Sequence, residues 1–385
     1  MKRRLFLAAG CACGAALLAG AARAQQDPSW SMPPRFVRPD LATDEGGLWA
    51  MMDRAERQLR RSPFLVRDKA LHDYVESIAC RLGKDHCPDI RVYIVRTPLF
   101  NASMAPNGML QVWTGLLLRM DNEAQLAAVL GHEIGHYVER HSVERLRDTK
   151  TGAAFGTFLG LAGVAGAVGQ LALLAGMFSY SRDQEREADR IGVQLMEESG
   201  YQPAEAAKVW GNLVEEVKAR PGGASGAVPM FATHPDAEER RDTLAALAAD
   251  MPGGATNAQA WRDNVQPYRW DWLMLEVRRG QHEESIALLG RMIAAEPKDA
   301  ELRTARGEVY RLRGKEGDFD LALADYQAAI AQGREPAEAH RGLAMIHRAR
   351  GEPGAARADF ERYLQAAPTA PDAPMIRSYV EELGK

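Results

Sequence analysis

Gly131-His132-Glu133-Ile134-Gly135-His136 lies inside a run, Asn122 to Arg145, whose spacing predicts one continuous helix. On a helix turning roughly 100° per residue, positions four apart share a face, so His132 and His136 present two imidazoles to one point. Glu133 stands just off that line. Zinc accepts neutral imidazole nitrogens, and a hydrolytic zinc keeps a position open for water. A carboxylate beside that water can take its proton and later hand it to a leaving amine. Leu126, Leu130 and Tyr137 share the neighbouring arc with Glu133, and Val129 falls near His136, so the expected site borders the buried stripe. The alternative for so short a motif is a surface helix whose two histidines fall in register by chance.

Two histidines do not complete a hydrolytic zinc site, and the third protein ligand usually comes from another element. Tyr180-Ser181-Arg182-Asp183-Gln184-Glu185-Arg186-Glu187-Ala188-Asp189, read as a helix running to about Glu198, offers candidates. Glu185 and Asp189 are four apart on one face, so Glu185 can reach a metal while Asp189 accepts a ring N–H from a ligating histidine. Glu187 is a further ligand candidate. An ordinary charged helix fits the same letters, because Arg182, Glu185, Arg186 and Asp189 also sit at ion-pair spacings. Spacing alone leaves both readings open.

The two stretches together, Gly-His-Glu-Ile-Gly-His (131–136) and Ser-Arg-Asp-Gln-Glu-Arg-Glu-Ala-Asp-Arg-Ile-Gly (181–192), resemble the zinc metallopeptidase family that contains HtpX and the CAAX prenyl protease. Within it the match is to the soluble periplasmic, BepA-like branch, from roughly 44 to 247 plus the organisation of the C-terminal part. The resemblance implies a gluzincin-type site with one Zn2+ per chain. Its third ligand, the glutamate of E-x-x-x-D, maps onto Glu185, with Asp189 behind it. A metzincin pattern fails, since its third histidine would fall on Ser142 and His141 is one residue early.

The chain opens on Lys2, Arg3 and Arg4, an apolar middle and Ala22-Arg23-Ala24, which together predict a secretory signal over 1–24 cleaved before Gln25. Export through the general pathway is expected, with a twin-arginine route as the alternative from Arg3-Arg4-Leu5-Phe6-Leu7. Two of the four cysteines leave with that segment. The remaining pair, Cys80 and Cys87, is expected to form a disulfide at the end of a helix in an oxidising compartment. Gln25 to Asp40 is Pro-rich and polar, part of an extended lead-in over 25–43. An apolar helical stripe then begins with Leu48, Met51, Met52, Ala55 and Leu59.

Ile90 to Val95 alternates and is β-branched, a strand, and Asn101 to Val112 reads as a hairpin turning at Pro106-Asn107-Gly108. In the resembled family an edge strand of this sheet lines the cleft and pairs with substrate backbone, which makes Met109, Leu110, Gln111 and Val112 the substrate-strand candidates; a purely structural hairpin is the alternative. Thr151 to Ser181 carries no charge and is rich in Gly and Ala, read as buried or interfacial helices in preference to a membrane hairpin. Pro221 to Pro229 is a Gly-rich loop, followed by Thr233-His234-Pro235. In relatives a histidine in that setting can bind the zinc and hold the enzyme latent, so His234 is a regulatory zinc-binding candidate, with a capping role as the alternative.

Beyond a break at Met251 to Thr256 the pattern repeats. Gly280, Gly317 and Gly351 follow first helices, Leu289, Tyr326 and Phe360 stand nine residues after them, and Pro297, Pro336 and Pro368 close the units. These resemble tetratricopeptide repeats of about 34 residues, which stack into a concave surface that holds a partner chain. The formal net charge of −4 argues against a general nucleic-acid binder.

The expected architecture is mainly α with a small β-sheet. A metallopeptidase domain spans 44–250, a linker 251–265 and a tetratricopeptide α-solenoid 266–385. The expected function is an exported, periplasmic zinc endopeptidase for unfolded or misassembled envelope proteins. The repeats would dock on the outer-membrane assembly machinery, with no nucleic acid and at most peripheral membrane contact. The alternatives are a periplasmic chaperone or scaffold with a largely latent site, or an integral-membrane HtpX-like protease.

Overall fold

The computed structural model describes residues 30–149, 180–221, 230, 234, 237–251 and 253–384. The expected signal segment 1–24, all but the last two residues of the uncharged stretch 151–181, and the loop 222–229 lie outside the described residues. Among the described residues no helix is long and apolar enough to cross a membrane.

Helix α1 (Asp44–Leu59) starts where Thr43 accepts the Gly46 N–H, and it buries the predicted stripe at Leu48, Met51, Met52 and Leu59. Asp68 caps α2 (Lys69–Gly83) in the same way, by accepting from Leu71. The Cys80–Cys87 disulfide then ties the end of α2 to a 3-10 helix, Lys84–Asp89. Three strands follow: β1 (Arg91–Val95), β2 (Ala102–Met104) and β3 (Met109–Trp113).

The sheet order is β1-β3-β2. β1 runs parallel to β3 with Arg91 opposite Met109 and Val95 opposite Trp113, while β2 pairs antiparallel with Ala102 opposite Val112. Met109, Leu110, Gln111 and Val112, expected on a substrate-pairing edge, therefore have a strand on each side, and the outer position beside β3 belongs to β2. A hairpin pattern specifies its two arms but not which of them a third, distant strand will join.

After α3 (Thr114–Arg119) the helix expected over Asn122 to Arg145 is divided into α4 (Glu123–Val138) and α5 (His141–Thr149). The break falls at Arg140, whose φ of 59° is left-handed and cannot continue a right-handed helix. Then come α6 (Arg182–Glu198), α7 (Glu205–Lys218) and α8 (Ala237–Ala248).

The segment expected as a linker is in part helical, because α9 (Ala258–Arg278) begins inside it. Trp261 of α9 donates its indole N–H to the Met120 carbonyl at 2.9 Å, which fixes the helix against the end of α3. Helices α10 (His282–Ala295), α11 (Ala300–Arg313), α12 (Asp318–Ile330), α13 (Glu338–Ala349), α14 (Pro353–Ala366) and α15 (Ala373–Leu383) continue as stacked pairs. Gly280, Gly317 and Gly351 turn the chain with φ of 73°, 81° and 73°, and Leu289, Tyr326 and Phe360 are fully buried.

One apolar core runs from α2, the sheet and α4 through α7 into α9, α10 and α11, taking in Trp261, Trp272, Leu289 and Leu302. Tyr326 and Phe360 belong to two separate smaller clusters. Charge reinforces the first junction. Arg119 of α3, 4% exposed, donates to Glu216 of α7 at 2.7 Å and to Glu276 of α9 at 3.1 Å; Glu276 also accepts from Arg279 and Ser285, each at 2.8 Å. A second network closes the far end of the sheet. Glu56 of α1 accepts twice from Arg91 at 2.7 Å and from Tyr93 at 2.6 Å.

Replacing Glu276 by alanine leaves two arginines buried without their shared anion, and the expected loss is about 3–5 kcal/mol in urea denaturation. A loss under about 1 kcal/mol would show that water reaches the junction. Burial pushes the Glu56 carboxyl up, but hydrogen bonds from Arg91, Tyr93 and Arg60 outweigh it and hold the pKa at about 2 against an ordinary 4.5. A depressed carboxylate pKa adds stability that is complete above the ordinary value and disappears as pH falls through the folded one. Between pH 4.5 and 2 the wild type should therefore lose stability that Glu56→Gln, already lower at neutral pH, does not lose; parallel stability curves over that window would refute this.

Candidate metal centre

Asn122 accepts the Gln125 N–H at 3.0 Å and starts α4. Ser181 and Gln184 cap α6 reciprocally, at 3.2 and 3.1 Å, so that Glu185 falls one turn into that helix. The two helices cross where neither has a side chain of any size. A Cβ added to Gly192 would stand 2.9 Å from the His132 nitrogen, and one on Gly131 would stand 3.1 Å from the Gly192 carbonyl. Gly135 faces Ala188 just as closely, at 3.1 Å to its carbonyl.

This crossing brings three sequence-predicted residues together. His132 Nε2 and His136 Nε2 are 3.0 Å apart; Glu185 Oε1 is 3.3 Å from His136 Nε2, and Glu185 Oε2 is 3.6 Å from His132 Nε2. His234 joins them from beyond α7, its Nδ1 at 2.8 Å from Glu185 Oε1 and 3.1 Å from His132 Nε2. One donor atom from each of the four residues fits within a 4.8 Å span, and all four side chains are buried. Glu133 turns toward the sheet, where the Met104 N–H of β2 donates to its Oε2 at 3.2 Å.

The arrangement fits a divalent cation. Glu133 Oε1, beside the cluster, is a buried acceptor without a hydrogen-bond donor, a costly state unless a positive charge faces it. Burial and the nearby Arg240 guanidinium push His132 down to about 4, and burial with His132 beside it holds His136 well below its ordinary value. Burial would raise Glu185, but the charge and hydrogen bond of His234, with His136 and His132 beside it, outweigh it and keep the carboxylate ionised. Neutral imidazoles beside an ionised carboxylate are the protonation states that metal binding requires. Burial pushes Glu133 up to about 7, within reach of proton exchange near neutrality.

Around this cluster stand residues with weaker sequence signals. Asp189 Oδ1 lies 2.9 Å from His132 Nδ1, and its other oxygen accepts from Arg240 Nε of α8 at 2.9 Å. Arg240 also lies 3.3 Å from Glu185 Oε2 and stacks over the Trp210 ring at 3.8 Å. The Tyr180 ring stacks on His136, centroids 3.7 Å apart, and its hydroxyl meets Ser142 Oγ at 2.9 Å. His141 Nδ1 stands 2.8 Å from His136 Nδ1. Glu187, considered as a ligand, lies outside the cluster: its carboxylate is 3.2 Å from His141 Nε2 with the side chain 44% exposed. Arg240 sits in a Glu-Glu-Arg-Arg-Asp run with no local mark of its role, and His141 was visible only as a histidine one place out of register.

Enlarging Gly192 should separate the helices. Gly192→Val is expected to abolish stoichiometric metal binding by the purified chain and to lower its melting temperature, with Gly192→Ala intermediate. Full metal content in the valine variant would show that the crossing does not set the site.

Comparison with known proteins agrees with this geometry. Residues 66–248 match the model of Peptidase family M48, and residues 311–371 match that of the tetratricopeptide repeat. A beta-barrel assembly-enhancing protease of Yersinia pestis is 29% identical over 246 residues, 58% of this chain and 50% of that protein. Its namesake in Escherichia coli K12 is 30% identical over 224 residues, 52% of this chain and 45% of that one. The mitochondrial metalloendopeptidase OMA1 of Schizosaccharomyces pombe is 31% identical over 194 residues, covering 50% and 54% respectively. The chain thus spans about half the length of the curated relatives it matches. The helix crossing and the buried cluster thus lie within residues 66–248, the part of the chain that is similar to peptidase family M48, and the part similar to tetratricopeptide repeats follows at 311–371.

Proposed function

We propose that the chain is an exported zinc endopeptidase that degrades misassembled envelope proteins. The observation that carries this reading is the buried cluster of His132, His136 and Glu185 with the donor-free Oε1 of Glu133 close by. Three nitrogen-or-oxygen ligands with imidazole predominating favour zinc over the oxygen-seeking cations. Zinc held there would polarise the scissile carbonyl and acidify a water.

Glu133 takes the water's proton on Oε1 and returns it to the departing nitrogen, while the Met104 N–H on Oε2 keeps the carboxylate aimed. Asp189, held by Arg240, fixes His132 with its Nδ1–H outward and its Nε2 lone pair inward. An extended substrate would lie along β2, the strand that borders Glu133, and backbone pairing there reads little of the side chains, as suits a protease of unfolded segments.

The location rests on the basic, apolar and small-residue pattern of 1–24 and is supported by the Cys80–Cys87 pair, which needs an oxidising compartment. The repeats would hold a protein partner, and by likeness to the beta-barrel assembly-enhancing proteases that partner is the outer-membrane assembly machinery. A second reading, a scaffold whose site is mostly silent, is favoured by one feature: His234 stands among the ligands, its Nε2 3.5 Å from Glu133 Oε1. On the first reading His234 is a reversible fourth ligand that displaces water.

Glu133→Gln should keep its zinc and lose casein cleavage by about 100-fold or more, and it should fail to complement a deletion strain. Full complementation would favour the scaffold. His234→Ala should raise casein cleavage several-fold; unchanged cleavage and zinc coordination would remove the gating role.

A further inference from the structure

We infer that His141, with Glu187 behind it, is the positioning residue that sets the tautomer and orientation of His136; this rests on the reading of His136 as a metal ligand. On an unbroken helix a residue five places on lies about 140° around the axis and roughly 7.5 Å along it, out of reach. The left-handed turn at Arg140 folds the chain back instead and sets His141 Nδ1 2.8 Å from His136 Nδ1.

The protons follow from the partners. The Glu187 carboxylate, 3.2 Å from His141 Nε2, can only accept, so that nitrogen carries the hydrogen. In the tautomer that leaves its lone pair on Nδ1, His141 accepts from His136 Nδ1–H across the 2.8 Å contact. His136 keeps its own lone pair on Nε2, the atom 3.3 Å from Glu185 Oε1 and 3.0 Å from His132 Nε2. The next residue of α5 adds a second hold: Ser142 pins the Tyr180 hydroxyl at 2.9 Å, and that ring covers one face of His136 at 3.7 Å. The two ligating histidines are thus oriented differently, His132 by a carboxylate and His136 by an imidazole.

The test uses the full mature chain, stripped with a chelator and titrated with zinc against a chromophoric competitor, and with cobalt read by its visible spectrum. His141→Ala should bind zinc about 10–100-fold more weakly and change the cobalt bands while the circular dichroism of the fold is kept. His141→Asn, whose Oδ1 takes the place of Nδ1 as acceptor, should recover most of the affinity. Unchanged affinity and spectrum in His141→Ala, or no recovery in His141→Asn, overturns the inference. If His141→Ala does not fold, Glu187→Ala decides: a measurable loss of affinity supports the relay and none overturns it. A wild-type chain that binds neither metal would instead defeat the ligand reading itself.

Discussion

Two helix backbones in direct contact are the constraint from which the rest of this structure follows. Where Gly131 and Gly135 of α4 meet Ala188 and Gly192 of α6, no side chain larger than a methyl separates them. A carboxylate is short, so Glu185 comes within 3.3 Å of His136 only because its helix axis is this close. The two glycines flanking the histidine–glutamate pair thus shape the site as firmly as the polar residues do. They supply no chemistry of their own.

Such proximity concentrates charge in a dry volume, and the surroundings are arranged to tolerate it. Burial keeps His132 and His136 neutral, Glu185 is held as an anion, and Arg240 spans Asp189 and Glu185 with its flat face against Trp210. A guanidinium suits that place, since it can bond in its plane and stack on an aromatic ring at once. Outside the site the same logic recurs at Arg119, whose buried charge is shared between Glu216 and Glu276. Both clusters join elements far apart in the chain.

Features that repeat or act locally were legible from the letters. The four-residue spacing of the histidines, the E-x-x-x-D array, the cysteine pair and the glycine-marked repeats each depend on neighbours within a turn or two. What was not legible depends on distant partners. Arg140 has no residue type that announces a left-handed turn, so the break after Val138 was read as continuous helix. The central position of β3 follows from β1 arriving beside it in parallel, which its own alternation does not encode. Arg240 gains its place from Trp210 and Asp189, residues in two other helices. The helical second half of the expected linker was hidden by the Pro- and Gly-containing break with which it opens.

The apolar interior shared by the half around α4 and the first helical pair has a consequence for how this chain could have been assembled in evolution. Trp261, Trp272 and Leu289 are as much a part of the interior of the half that holds the metal-site cluster as Leu130 or Ile134. That half is therefore not a portable cassette: a gene fusion that borrowed it without α9 and α10 would carry an open hydrophobic wound. The later units, each closed around Tyr326 or Phe360, can be lengthened, lost or exchanged at far smaller cost. Diversification of the binding surface is thus expected at the C-terminal end of the array.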